Sequence, residues 1–313
     1  MKSLRIGHVD LDTSHPANWI PIERELGHEV VAVYDGGTVW PEGYAQEFAR
    51  QHGVPTTCRV LEEMVPLVDL AIIHSANWDL HLPRAKPFLE AGKAVLIDKP
   101  IAGNLRDLQE LRTLAESGAL LSGGSSLRFA TEAQSLLAEL REKGETPIFA
   151  FAGCGVDEFN YGIHAYALAC ALMGPGLSSV RFLGEHYQKQ VELVWADGRR
   201  AILNIGAPSG GRWLPFYATV VTEANVYHVV PQPGALYRAL LSTLLPYFAG
   251  EAPAPVPFAA LIEPELAALA ARDSWRHCGT RTYLGDLRLD DPGYDGAAFA
   301  QEYRRQRLSA GKH

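Results

Sequence analysis

The first 127 or so residues alternate between short apolar runs and stretches of helical period, and this alternation restricts the fold more than any other feature of the chain. Runs at 4–9, 30–34, 68–74, 95–98 and 119–122 have the length of buried strands. Between them, 17–26, 44–52, 80–91 and 105–117 read as helices. Strand and helix at this spacing predict βαβ units and a doubly wound parallel sheet. Gly27, Gly53, Gly92 and Gly118 stand just past the four helical stretches, as C-terminal caps do. Asn104 has the position of an N-cap for the helix that follows Lys99.

Beyond residue 128 the pattern changes. A helix at 131–143 leads to a strand at 148–154 and a second helix at 161–172. Strands of antiparallel type follow at 179–187, 190–195, 201–205, 217–222 and 225–230, with Ala196-Asp197-Gly198 as a hairpin turn. Helices at 234–248 and 258–272 flank a proline-rich loop, and an amphipathic helix at 297–308 lies in the tail. The expected fold is therefore α/β. A Rossmann-type domain at 1–127 precedes an α+β domain with a mostly antiparallel open sheet at 128–288, and a tail covers 289–313.

Bulk composition excludes several classes of function. The 313 residues carry a net charge of −8 with no basic block, which argues against nucleic acid as a partner. No apolar stretch reaches the roughly 18 residues that would argue for a membrane span, and no signal-peptide pattern opens the chain. Cys58, Cys154, Cys170 and Cys278 are far apart, so neither a disulfide framework nor a zinc ribbon is indicated, and a reduced, cytoplasmic setting is expected.

The segment Ala94-Val95-Leu96-Ile97-Asp98-Lys99-Pro100 ends an apolar strand on a carboxylate, a lysine and a proline. Ligands of open α/β sheets bind outside the carboxyl ends of the strands, so Lys99 stands where acid–base chemistry is done. The tripeptide alone reads as a surface lysine after a strand; its context reverses that. Preceding it are the strand that ends at His74, then His81, then Ala91-Gly92-Lys93-Ala94-Val95. Leu127-Arg128-Phe129, Gly162-Ile163-His164 and Leu172-Met173-Gly174 follow in order. In this arrangement the chain resembles the Gfo/Idh/MocA oxidoreductases. Within them it is similar to a subset whose loop reads D-T-S-H, here Asp12-Thr13-Ser14-His15.

That resemblance implies an NAD- or NADP-dependent enzyme acting on a small sugar- or polyol-like substrate, assembled as a homodimer or higher homo-oligomer. It implies that Lys99 and His164 flank the carbon that gives or receives hydride. Members often carry an aspartate four residues before the histidine; here that place holds Asn160, and Asp157 lies one turn further back, where it is equally a helix cap. Arg128, His81 and Tyr161 are the expected substrate-side residues. His164 on its own reads as a buried helix histidine bonded to a neighbour.

The cofactor loop departs from the pattern. The three glycine places of G-x-G-x-x-G fall on Asp10, Asp12 and His15. A helix N-terminus favours an anion by roughly 0.3–1 kcal/mol, whereas a carboxylate about 4 Å from a phosphate opposes it by about 4 kcal/mol at an effective dielectric near 20. Dinucleotide binding therefore requires that Asp10 and Asp12 turn away or pair with cations. Thr13, Ser14 and His15 before Pro16 serve equally to start a helix or to hold a ligand. Asp35 closes the second strand, where an acid bonds the adenosine ribose and favours NAD over NADP, or simply makes a turn before Gly36-Gly37.

His8, Asp10 and Asp12 alternate and would share one face of an extended strand; with His15, His74 and Asp98 at neighbouring strand ends, a divalent metal is conceivable there. Oxygen and imidazole groups also bind polyols without metal, so no metal ligands are assigned. Asp10, Asp12, Thr13, Ser14, His15, Asp35, His74 and Asp98 make up the expected cofactor edge. The alternatives to hydride transfer are a lyase or isomerase, metal-assisted or not, and a sugar or nucleotide sensor that has lost dinucleotide affinity.

Overall fold

The structure, a computed structural model, describes residues 2–206 and 213–310. The first half runs β1 (Arg5–Val9), α1 (His15–Glu25), β2 (Glu29–Tyr34), α2 (Tyr44–His52), β3 (Thr56–Cys58), α3 (Leu61–Met64), β4 (Leu70–Ile73), α4 (His81–Glu90), β5 (Ala94–Ile97), α5 (Leu105–Glu116) and β6 (Leu121–Gly123). All six strands pair in parallel, in the order β3-β2-β1-β4-β5-β6. The order reverses at β1, which sets the topological switch point beyond the carboxyl ends of β1 and β4, the usual ligand position of such sheets.

The predicted helices end where their glycines allow. Gly27, Gly53, Gly92 and Gly118 all take positive φ. The Asn104 side chain accepts the Asp107 N–H at 2.9 Å and caps α5. Gly7 is required by packing: a Cβ there would lie 2.5 Å from Met64 Sδ, so α3 rests directly on β1. The elements β3 and α3 have three and four residues, too few to show a period in sequence.

The second half runs α6 (Thr131–Lys143), β7 (Phe149–Gly153), α7 (Gly162–Met173), β8 (Leu177–His186), β9 (Gln188–Trp195), β10 (Arg200–Ile205), β11 (Tyr217–Val221), β12 (Val226–Val229), α8 (Leu236–Phe248), α9 (Phe258–Leu261), α10 (Glu263–Arg276), β13 (Thr282–Tyr283) and α11 (Gly296–Ala310). Seven strands form one sheet, β12-β11-β7-β10-β9-β8-β13. The pair β7–β10 is parallel and the others are antiparallel. The helix predicted over 258–272 is two helices. Pro264, in the first turn of α10, has no N–H with which to continue α9.

The chain divides into two compact units. One holds Met1–Gly123, Leu241–Phe258 and Tyr294–His313; the other holds Gly124–Leu240 and Ala259–Gly293. Sequence patterning sets α11 in a separate tail, but its contacts tie it to the first unit. Trp78 Nε1 donates to the Tyr294 carbonyl at 2.8 Å, and the Asp79 carboxylate accepts the Gly296 and Ala297 N–H groups. Ala300 and Tyr303 pack with Val39, Trp40 and Ala76 in an apolar cluster. No helix among the described residues is long and apolar enough to cross a membrane.

Candidate functional site

Strand β1 stops at Val9, and Asp10 takes φ +58°, the backbone conformation that a glycine would supply at this place. Aspartate is among the few residues that enter this region at modest cost. The turn breaks the alternation expected of His8, Asp10 and Asp12, so the three do not share a face. Asp10 is fully buried. Its Oδ1 accepts the Gly36 N–H at 2.9 Å; its Oδ2 accepts from the Ser75 hydroxyl and meets Arg84 Nε at 3.3 Å. Arg84 also lies over the Tyr34 ring, 5.0 Å from its centroid.

Asp12 is also fully buried, and its Oδ2 accepts the Ala76 N–H at 2.8 Å. Burial, reinforced by the charge of Asp10, pushes its carboxyl up to about 8, so at neutral pH it is largely a neutral acid. Both acids thus face into the protein, one paired with a cation and the other uncharged. Ser14 is the N-cap residue of α1, but its side chain makes no cap bond; Thr13 Oγ1 accepts the His15 N–H at 3.2 Å instead. Asp35 closes β2, accepts the Gly37 N–H at 3.3 Å, and has its carboxyl pushed up by burial.

A second cluster crosses the sheet behind this loop. Glu23 Oε2 meets His8 Nε2 at 2.9 Å, His8 Nδ1 meets His74 Nε2 at 3.0 Å, and His74 Nδ1 meets Asp98 Oδ2 at 3.2 Å. His15 Nδ1 bonds the same Asp98 oxygen. Glu23, His8 and His74 are almost wholly buried, and Trp19 stacks on His15 and meets His74 edge-on. Burial pushes the His74 imidazole down to about 4. Burial alone would raise the Asp98 carboxyl; the charge and hydrogen bonds of His15 and His74 hold it well below the carboxylate range.

Lys99 follows β5 and is half-buried, its backbone N–H donating to Asp98 Oδ1 at 2.7 Å. The Lys99–Pro100 peptide is cis. His81 is fully buried, with its ring nitrogens at 3.1 Å from the Ile101 carbonyl and 2.9 Å from the Ser75 carbonyl. It binds the loop after β4 to the loop after β5, a structural use of a residue expected on the substrate side.

The second unit carries the remaining predicted residues. His164 lies in the first turn of α7, and Ser125 Oγ stands 2.7 Å from its Nδ1. The Leu127 N–H also donates to that oxygen, at 3.2 Å. Tyr161 and Phe216 meet the His164 ring edge-on at 5.9 and 5.1 Å. Asp157 Oδ1 accepts the Phe159 and Tyr161 N–H groups, both at 2.9 Å, which sets the loop that holds Asn160. Val156 beside it has φ +75°, a strained conformation for a β-branched residue. Arg128 is buried, donates to the Ala260 carbonyl at 3.1 Å, and has its guanidinium pushed down by burial.

Sequence reasoning passed over Glu23, Ser75, Arg84 and Ser125. Glu23 and Arg84 carried only the signal of charged residues on amphipathic helices, which normally face solvent.

Known proteins resemble parts of this chain. Residues 12–122 match the family model of the GFO_IDH_MocA oxidoreductases, described as an oxidoreductase family with an NAD-binding Rossmann fold. An oxidoreductase subunit from Amycolatopsis mediterranei (strain S699) is 31% identical over 144 residues, 46% of this chain and 39% of that protein. Trans-1,2-dihydrobenzene-1,2-diol dehydrogenase of Danio rerio is 31% identical over 111 residues, 35% of this chain and 31% of that protein. The chain thus spans well under half the length of the curated relatives it matches. Among solved structures, apo scyllo-inositol dehydrogenase from Lactobacillus casei superposes with a TM-score of 0.76 at 15% identity, over 91% of this chain and 99% of that one. Myo-inositol dehydrogenase from the same organism, in complex with NAD(H) and myo-inositol, gives 0.76 at 14% identity over 90% and 97%. Both share the fold of this chain.

Proposed function

We propose that the whole chain is a GFO_IDH_MocA oxidoreductase that uses a nicotinamide dinucleotide to interconvert a sugar- or polyol-like alcohol and its ketone. The observation that carries this reading is the disposal of charge in the loop after β1. Asp10 supplies a glycine-like turn while its carboxylate is bound by Arg84, Ser75 and Gly36, and Asp12 is uncharged at neutral pH. The repulsion that those two acids would exert on a pyrophosphate is therefore removed at the first turn of α1, and the residues present fit the cofactor.

The backbone of Thr13, Ser14 and His15 would receive the pyrophosphate, and Asp35 would accept from the adenosine ribose hydroxyls, which favours NAD over NADP. The bound nicotinamide would supply the acceptor or donor of hydride. Lys99 would take up or release the hydroxyl proton, as general acid and base at the carboxyl end of β5. In the second unit, His164, Asn160 and Tyr161 would serve as substrate-side residues. Asp157 and His81 would act through the loops that they fix, and Arg128 through its place in the second unit.

The reading extends to the setting. All four cysteines are unpaired, in keeping with a reduced cytoplasm. Self-association would use the face of the seven-stranded sheet away from α7 and α10. Calorimetric titration of the nucleotide-free protein with NADH and NADPH tests the core of the proposal. Micromolar binding, stronger for NADH, is expected. Folded protein that binds neither form would overturn it. A screen of inositols, anhydro sugars and dihydrodiols for nicotinamide reduction then sets the substrate class.

A further inference from the structure

The buried run Glu23–His8–His74–Asp98 closes on one point. His8 Nε2 stands 2.9 Å from Glu23 Oε2, His8 Nδ1 3.0 Å from His74 Nε2, and His74 Nδ1 3.2 Å from Asp98 Oδ2. His15 Nδ1 converges on the same Asp98 oxygen from the start of α1.

We propose that His15, His74 and Asp98 form a site for one divalent first-row transition cation. The three donor atoms lie within 4.8 Å of one another. Two imidazoles and a carboxylate are the donor set of zinc and ferrous iron in reactive sites, where three protein ligands leave a position for water or a substrate oxygen. The open position is reached past His15, whose side chain is 15% exposed, while His74 is sealed.

The support behind His74 is of the kind that metal-binding histidines have. Its second nitrogen is directed at His8, and His8 is held in turn by the Glu23 carboxylate, so ring orientation and tautomer are both set from behind. Asp10 and Asp12 stand outside this set of donors: the Asp10 oxygens are directed to Arg84, Ser75 and Gly36, and Asp12 Oδ2 to Ala76. The site lies wholly within the first unit and does not depend on the nicotinamide reading.

Elemental analysis of protein purified without chelator or added metal, followed by chelation and titration with Zn2+ and with Co2+, tests the site. A single equivalent per chain is expected, with Co2+ giving the visible bands of a nitrogen- and oxygen-ligated ion; zinc or iron in the purified protein identifies the resident cation. His15→Ala, a change at the least buried ligand, should abolish binding while the far-ultraviolet circular dichroism stays native. Asp98→Asn should do the same. Glu23→Gln should weaken binding by roughly 10–100-fold. Folded wild-type protein that takes up neither metal overturns the site. So does binding that survives His15→Ala, or that is lost in Cys278→Ser, which would assign it to the exposed His277–Cys278 pair. Metal binding without NADH binding would support this site and defeat the nicotinamide reading, and the reverse result would separate them the other way.

Discussion

Asp10 and Asp98 are both buried carboxylates at the carboxyl end of the parallel sheet, yet they are neutralised in different ways. Asp10 has a permanent cation in Arg84, together with a hydroxyl and an amide. Asp98 Oδ2 is met by two imidazole nitrogens, and the run behind one of them ends on a second buried carboxylate, Glu23. The first cluster is closed by a fixed cation; the second converges on a point that a metal would fill. Burial of a charge is therefore a poor mark of a reactive site. What matters is whether its partner can change state.

The largest effect should come from Asp12, on the side of Asp10. Its carboxyl titrates near 8 in the folded chain and near the ordinary 3.8 when unfolded. Between those values the native chain keeps a proton that the unfolded chain has released, so stability falls as pH rises from about 4 to about 8. The loss is on the order of 5 kcal/mol across that window. Asp12→Asn should remove the slope, seen as urea midpoints that no longer fall with pH; an unchanged slope would assign the titration elsewhere. Next, Arg84→Met leaves Asp10 buried without its cation and should cost about 3–5 kcal/mol. Adding Asp10→Asn should recover most of that cost. A loss under about 1 kcal/mol would mean that Ser75 and Gly36 suffice, and the contrast with Asp98 would fail.

On the side of Asp98, Lys99→Ala should lower turnover at least ~100-fold once a substrate is found, with folding unchanged. Wild-type turnover would remove Lys99 from proton transfer. The smallest effect is that of Asn104→Ala, which loses the cap of the helix after β5 and should cost about 1 kcal/mol in thermal or urea unfolding without altering nucleotide binding.

Most of the first sheet could be read from local signals, because its strands are buried on both faces and its helices end on glycines. The loop after β1 was legible as a conflict only: three glycine places held two acids, and nothing local shows that Asp10 can adopt φ +58° while its carboxylate is bound from the loops after β2 and β4 and from α4. The histidine run was less legible still. His8 and Glu23 are 15 residues apart and meet only because α1 folds back onto the sheet. The family resemblance pointed to Lys99 and His164, whereas Ser125 and Arg84 emerged from the fold alone.

The non-contiguous first unit has a consequence for synthesis. A ribosome completes β1 to β6 at Gly123, but Leu241–Phe258 and α11, which belong to the same unit, come much later. At ~5–20 residues per second, the apolar patch of Val39, Trp40 and Ala76 waits roughly 10–40 s for Ala300 and Tyr303 to cover it. A nascent chain of this kind offers that patch to chaperones throughout the interval, and slowing translation near the 3′ end of its message should lengthen the exposure.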